Sequence, residues 1–318
     1  MWNLLKIAGN TFRESLREPV YSLLLICGLF LIAHYPSISL FVFNEQLKMV
    51  VDSSMATSLL FGLFAAVLSS SHTVAQEMRN GTVLLLLSKP VHRWSFILAK
   101  IIGISAAVVL FMFILNCATV ASVYIAVDQF RTDDLTYYML LGIVVVSAVF
   151  GMLFNFFKGS SFSAVMVISL GLLLPLFAAL CYFTKETPAL SMPDLFKALI
   201  LLFGAVTAMA TLSVAFAVRL DMVANLCVCT VIFFLGMVSS FLFQRETGSA
   251  VLEAILGGLY AIFPNWQFFW LADAIAVERP IPTSYVIKAY IYVFCYIGLC
   301  SLWAVTLFQK REVARDSR

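Results

Sequence analysis

The stretch Val74–Lys100, VAQEMRNGTVLLLLSKPVHRWSFILAK, is polar and basic in a chain that is otherwise mostly hydrocarbon. Glu77, Arg79, Lys89, His92, Arg93 and Lys100 are gathered here between two long apolar runs, Met49–Val74 and Ser95–Val127. Each run exceeds the roughly 20 apolar residues needed to cross about 30 Å of hydrocarbon. The polar stretch therefore reads as a loop between two spans, and the chain as a polytopic membrane protein.

Composition agrees with that reading. Of 318 residues, 62% are hydrophobic and 12% charged, against about 25% charged in soluble domains. The mean hydropathy is +1.00. A net charge of +3 on such a chain has meaning loop by loop and does not point to nucleic acid. The seven cysteines fall almost entirely in apolar runs, where a thiol acts as a small hydrophobe. Cys227 and Cys229 lack the spacing of a redox or zinc motif.

Working outward, eight candidate spans follow: Val20–Phe43, Met49–Val74, Ser95–Val127, Leu135–Phe157, Ser161–Phe183, Leu195–Val218, Asp221–Phe243 and Ser284–Phe308. An even number puts both termini on one side. With the termini inside, thirteen of the twenty Lys and Arg residues are inside as well, so the positive-inside rule favours cytoplasmic termini and a cytoplasmic 75–94 loop. Residues 1–18 place Trp2, Leu5, Ala8, Phe12 and Leu16 on one helical face opposite Lys6, Arg13 and Arg17, the pattern of an interfacial amphipathic helix ending at Pro19. The first apolar run is long enough to stay as a span, so no cleaved signal peptide is expected.

Segment 244–283 is different. Val251–Phe263 and Trp266–Val277 flank a break at Pro264–Asn265, and neither half is long enough to cross. An outer hairpin, re-entrant or interfacial, is the economical reading. A ninth span is the alternative, and it would put the basic tail outside. The whole chain, 1–318, reads as one transmembrane domain.

Nothing in the chain matches a phosphate-binding loop, HExxH, CxxC or GxSxG. No covalent chemistry and no bound cofactor or metal are expected of it. His34 is the deepest ionisable candidate, a possible intramembrane polar site before Pro36; the competing reading is a neutral histidine hydrogen-bonded to a neighbouring helix. The 75–94 loop is open to two readings as well: an ordinary positive-inside loop, or a short helix shaped to dock on a partner.

The order Glu77, Arg79, Gly81-Thr82, a leucine run, Ser88-Lys89-Pro90-Val91, Arg93, then Phe96-Ile97-Leu98-Ala99-Lys100 resembles the inner loop of type-2 ABC exporter permeases, in particular the branch grouped with multi-copper enzyme maturation. Thr11-Phe12-Arg13-Glu14 before Pro19, and Pro264-Asn265-Trp266 with Phe268, are similar to the same group. The resemblance implies an all-α permease that pairs with a second permease, commonly its own copy, and with cytoplasmic P-loop ATPase subunits that bind the ATP and Mg. It implies residence in the inner membrane of the cell and export of a substrate the residues do not name. It further implies ATPase coupling at Gln76, Glu77, Met78, Arg79, Asn80, Gly81 and Thr82, and an outer gate at Leu256, Gly257, Gly258, Pro264, Asn265, Trp266 and Trp270. The family usually has six spans; the additional pair here is expected near Leu195–Phe243. A secondary transporter and a non-transporting membrane assembly factor are the competing functional classes.

Overall fold

A computed structural model describes residues 2–39, 45–75, 77, 93–128, 131–186, 188–243, 253, 256–258, 260, 263–277 and 279–309. It is all-α but for a two-stranded ribbon, β1 (Ala126–Asp128) and β2 (Arg131–Thr132), at one end of the bundle. The helices are α1 (Trp2–Arg17), α2 (Pro19–Ile38), α3 (Gln46–Ser70, continued by a π-helical turn Ser71–Ala75), α4 (Arg93–Ile125), α5 (Asp134–Lys158), α6 (Phe162–Thr184), α7 (Met192–Ala217), α8 (Met222–Met237), α9 (Ser239–Phe243), α10 (Ala272–Ala276) and α11 (Thr283–Gln309). A single 3₁₀ turn, Trp266–Phe269, precedes α10.

Local chemistry sets several boundaries. Pro19 starts α2, where a missing N–H costs nothing. Asp133 and Asp221 cap α5 and α8 by accepting from the Thr136 and Ala224 amides. Gly159, at φ 63°, ends α5 in the left-handed conformation and lets α6 begin almost at once.

α4 is the central post. Ile104, Ala107, Val108, Phe111, Met112, Ile114, Leu115, Ala118 and Ala121 are all fully buried, and α1, α2, α3, α6, α7 and α11 pack around it. Some polar groups inside the bundle bond across helices, which offsets the cost of placing them in hydrocarbon: the Tyr21 hydroxyl donates to the Ala107 carbonyl at 2.8 Å, and Ser122 Oγ to the Ile32 carbonyl at 2.9 Å.

Seven of the helices are long and apolar enough to cross a membrane. They include all the expected spans except Asp221–Phe243, which is divided at Val238 into α8, of 16 residues, and the short α9. At 1.5 Å per residue α8 is about 24 Å long, short of the hydrocarbon thickness. Just before that break the returning chain lies against α8: a Cβ on Gly236 would be 2.3 Å from the Pro264 carbonyl oxygen and 2.4 Å from Trp266, so the close approach needs a glycine there.

The helices differ in how far they are enclosed. α7 packs along α3, α4 and α11 and is 78% buried over its apolar window. α5 rests chiefly on α6 and is only 17% buried. α8 buries Asn225, Cys229, Phe233 and Gly236 and leaves most of its other side chains at the surface.

α1 is a helix whose buried side takes in Ala8 and Leu16 of the expected apolar face and extends from it to Thr11 and Ser15, while Leu5 is 61% exposed. A Cβ on Gly103 of α4 would meet the Ala8 carbonyl at 2.6 Å and Thr11 Cβ at 2.7 Å, so the two helices cross at backbone contact over small residues. Gly103→Ala should then lower stability by about 1–3 kcal/mol, the usual cost of overpacking. Gly142→Ala, whose Cβ would meet nothing within 4 Å, should be neutral; thermal unfolding of the detergent-solubilised chain compares the two.

Candidate functional site

The ends of the helices define two polar layers. Phe308 stacks on Phe96 and Arg219 donates to the Leu307 carbonyl, which brings the ends of α7 and α11 to the start of α4, beside α1. At the far end Lys197 reaches the Ile281 carbonyl, and the start of α3 meets α10. The start of α2 and the end of α11 therefore lie on one face of the bundle, the face that also carries Glu77 and Arg93.

On that face Lys100 is the organising charge. Its side chain is 3% exposed, with Nζ 2.9 Å from Glu77 Oε1 and 3.5 Å from Glu14 Oε2. One ammonium thus ties α1, the residue just beyond the π turn of α3, and α4. Beside it His72 pairs with Glu18, whose side chain is 8% exposed. Asn10, Arg13, Glu14, Arg17, Glu18 and His72 line a polar cavity of about 460 Å³ there. Burial pushes the Glu77 carboxyl above its ordinary value of 4.5; the adjacent Lys100 pulls it back in part, and Glu14 adds to the rise.

Of the expected coupling residues, Glu77 is described and stands in this junction. Gln76, Met78, Arg79, Asn80, Gly81 and Thr82 lie outside the described residues.

One step deeper is a buried network the sequence analysis missed. Asn225 of α8 donates through Nδ2 to Ser71 Oγ at 2.7 Å, to Ser213 Oγ at 3.0 Å and to the Ser213 carbonyl at 3.3 Å. Ser213 Oγ also bonds Ser70 Oγ, and Cys229 Sγ donates to Asn225 Oδ1. The network binds α7 and α8 to the π turn at the end of α3, an irregularity that recurs at functional positions. Asn225 was its available signal, a carboxamide four residues into an apolar run.

Much of segment 244–283 lies outside the described residues, and what is described of it reaches into the bundle at Pro264–Trp266. Trp266, 2% exposed, sits among Leu59 and Leu63 of α3, Val206 and Met209 of α7, and Phe233 of α8. These lie near the middle of their helices, and Phe269 approaches Gly204 of α7 at the same depth. α10 then returns to the outer rim beside Asp52 and Lys48. Irregular backbone is tolerated at that depth only when protein satisfies it, and Asn265 supplies most of the bonds. Its Nδ2 donates to Ser240 Oγ at 2.8 Å and the Tyr260 hydroxyl at 3.0 Å, its amide to the Tyr292 hydroxyl, and its Oδ1 accepts from the Gln267 amide at 3.0 Å.

Pro264, Asn265 and Trp266 are thus brought together, with Trp270 partly buried after them. Leu256, Gly257 and Gly258 are not part of that plug: both glycines are exposed, with open space where a Cβ would be.

His34 is satisfied on both sides. Its Nδ1 lies 2.8 Å from the Phe30 carbonyl and Nε2 3.1 Å from the Tyr137 hydroxyl. The carbonyl can only accept, so Nδ1 donates to it, while the Tyr137 hydroxyl can serve Nε2 as donor or acceptor. Among the described residues no group of three or more His, Cys, Asp or Glu side chains is placed to hold a metal ion.

Removing Lys100 would leave Glu14 and Glu77 facing each other. Lys100→Met should cost about 3 kcal/mol, the lower end for breaking a buried pair, because both carboxylates keep some solvent. The pH dependence has a defined sign. The folded chain holds the Glu77 proton more tightly than the unfolded one, so this group's stabilisation is complete below 4.5 and is lost as pH rises through the raised value. Glu77→Gln, which still offers Lys100 an acceptor, should show a shallower fall in melting temperature than the parent from about pH 5 to about pH 8.

No curated protein matches the chain. Residues 5–181, more than half of its length, match the family model described as ABC-2 family transporter protein, across α1 to α6 and the Lys100 junction. With seven apolar helices of spanning length around that match, the chain belongs to the ABC-2 transporter family and is a multi-pass membrane permease of the ABC type.

Proposed function

We propose that the chain is the transmembrane half of an ATP-driven exporter, and that the segment from Ala75 to Arg93 is where a separate cytoplasmic ATPase subunit takes hold. The observation that carries this reading is the Lys100 junction. Both ends of the segment are anchored to one buried ammonium, Glu77 by its carboxylate and Arg93 by the helix that bears Lys100. A push on the segment is thereby delivered to α3, α4 and α1 as a unit.

From there the contacts continue. The π turn of α3 is bonded to Asn225 of α8, and the other end of α8 abuts Pro264 and Trp266. Movement at the inner face has a connected set of packed groups to follow to the re-entrant plug. In this mechanism nucleotide binding in the partner favours the arrangement in which α8 and the plug separate, and hydrolysis restores the closed one. Trp266 and Asn265 are the gate, and Gln76–Thr82 the coupling surface.

The chain itself makes and breaks no bond; ATP and Mg are held by the partner. Both termini are cytoplasmic in this reading, the membrane is the cell's inner membrane, and the permease works as a pair, with its own copy or a related chain. The cargo is an export substrate whose class the apolar interior leaves open.

Affinity capture of the tagged full-length chain from its native membrane should bring down a P-loop ATPase. Arg79→Glu should reduce the recovered ATPase about tenfold, the equivalent of one lost contact of ~1.4 kcal/mol, with the chain itself still inserted. Trp266→Ala should keep the ATPase bound and raise its basal turnover. Recovery of no nucleotide-binding protein, or equal recovery with Arg79→Glu, would refute the assignment.

A further inference from the structure

The cavity of about 460 Å³ beside the Lys100 junction opens where α1 turns into α2. Its lining carries charge of both signs, and the carboxylates are already matched. Glu18 is paired with His72, and Glu14 faces the buried ammonium of Lys100. Arg13 and Arg17 are different. They stand one helical turn apart on one face of α1, both exposed. Among the described residues neither guanidinium has an ion pair or a side-chain hydrogen bond. Two guanidiniums so placed suit a phosphate, because each offers a fork of N–H donors that matches its oxygens.

The other side of the mouth is apolar. Pro19 and Val20 complete the lining, and Val20, 42% exposed, begins a stripe on α2. The stripe continues through Leu23, Cys27 and Phe30, all exposed, at spacings of three and four. From Val20 to Phe30 the helix rises about 15 Å, close to the hydrocarbon depth of a single leaflet. A soluble phosphate would engage the arginines and leave the stripe unused. A phospholipid engages both, with its phosphate where α2 enters the hydrocarbon and a chain running down the helix from there.

We propose that this cavity is a specific site for an anionic phospholipid, its phosphate held between Arg13 and Arg17 and one acyl chain lying along Val20, Leu23, Cys27 and Phe30. An anionic headgroup is favoured over a choline one because the two arginines are the unmatched charge of the lining, and they repel a quaternary ammonium. The bound lipid braces α1 against α2 beside Glu14, one of the two carboxylates that hold Lys100. The site is independent of ATPase coupling: a chain that recruited no partner would still carry it.

The full-length chain in detergent can be titrated with phosphatidylglycerol and, in parallel, with phosphatidylcholine of the same acyl chains, the retained lipid being counted by native mass spectrometry. The first phosphatidylglycerol should bind about tenfold more tightly than the first phosphatidylcholine, the order expected of two basic residues meeting one extra negative charge. Arg13→Gln combined with Arg17→Gln should abolish the preference at an unchanged melting temperature, since both side chains are exposed. Lys158→Gln, at the end of α5 and outside the cavity, should preserve it. A large molar excess of inorganic phosphate or glycerol 3-phosphate should leave the lipid in place; its displacement would make a soluble phosphate the ligand and overturn the proposal. Equal affinity for the two lipids in the parent chain would also overturn it, with no variant needed. So would a preference that survives loss of both arginines, or one that Lys158→Gln removes, since the attraction would then belong to the surface charge at large.

Discussion

A lysine ammonium with almost no solvent around it has to be neutralised where it stands. Lys100 is such a group, and the two carboxylates that neutralise it come from different parts of the chain, Glu14 from α1 and Glu77 from just beyond α3. Neither helix could shift without exposing a buried charge to hydrocarbon or to the other carboxylate. The position of α1 against α4, the end of α3 and the entry to the inner segment all follow from this one constraint. The close crossing at Gly103 is compatible with it, because small residues let α1 come near enough for Glu14 to reach.

The same rule, that polar groups in hydrocarbon must find partners in the chain, shapes the opposite half. The returning backbone at Pro264–Asn265 lies at mid-depth because carboxamide and tyrosine hydroxyls meet it there. That returning backbone lies against α8 at Gly236, two residues before the helix breaks at Val238. The bundle thus trades one complete span for a buried irregular segment, and the two halves communicate through α8, bonded at one end to the π turn and pressed at the other against Trp266.

Periodicity and run length made most of this architecture legible. Long apolar runs named the spans, and the break at Pro264–Asn265 between two half-length flanks marked where irregular backbone enters the bundle. Tertiary choices were not legible. The face by which α1 docks depends on Gly103, which is more than ninety positions from Ala8 and Thr11, and hydropathy ranks Leu5 above Thr11 for burial while sterics decide the reverse. The difference in burial between α5 and α7 was not legible because the two are almost equally apolar, and only packing tells an exposed helix from an enclosed one. Asn225 is a single amide in a hydrophobic run, and its role depends on which helices pass opposite it. His34 went the other way: its type flagged it as functional, and its surroundings close both nitrogens.

The length of α4 has a mechanical consequence. Its 33 residues make a rod about 50 Å long, against about 30 Å of hydrocarbon, so the helix must lean or stand proud of the bilayer. A rod of that length amplifies angle into distance: rocking it by about 5° around its midpoint carries each end through about 2 Å. That displacement matches the helix shifts that switch packed interfaces, about 1–2 Å. Because Lys100 sits two turns from one end, its ion pairs hold α4 to α1 and Glu77 near that end, where such rocking displaces the helix most.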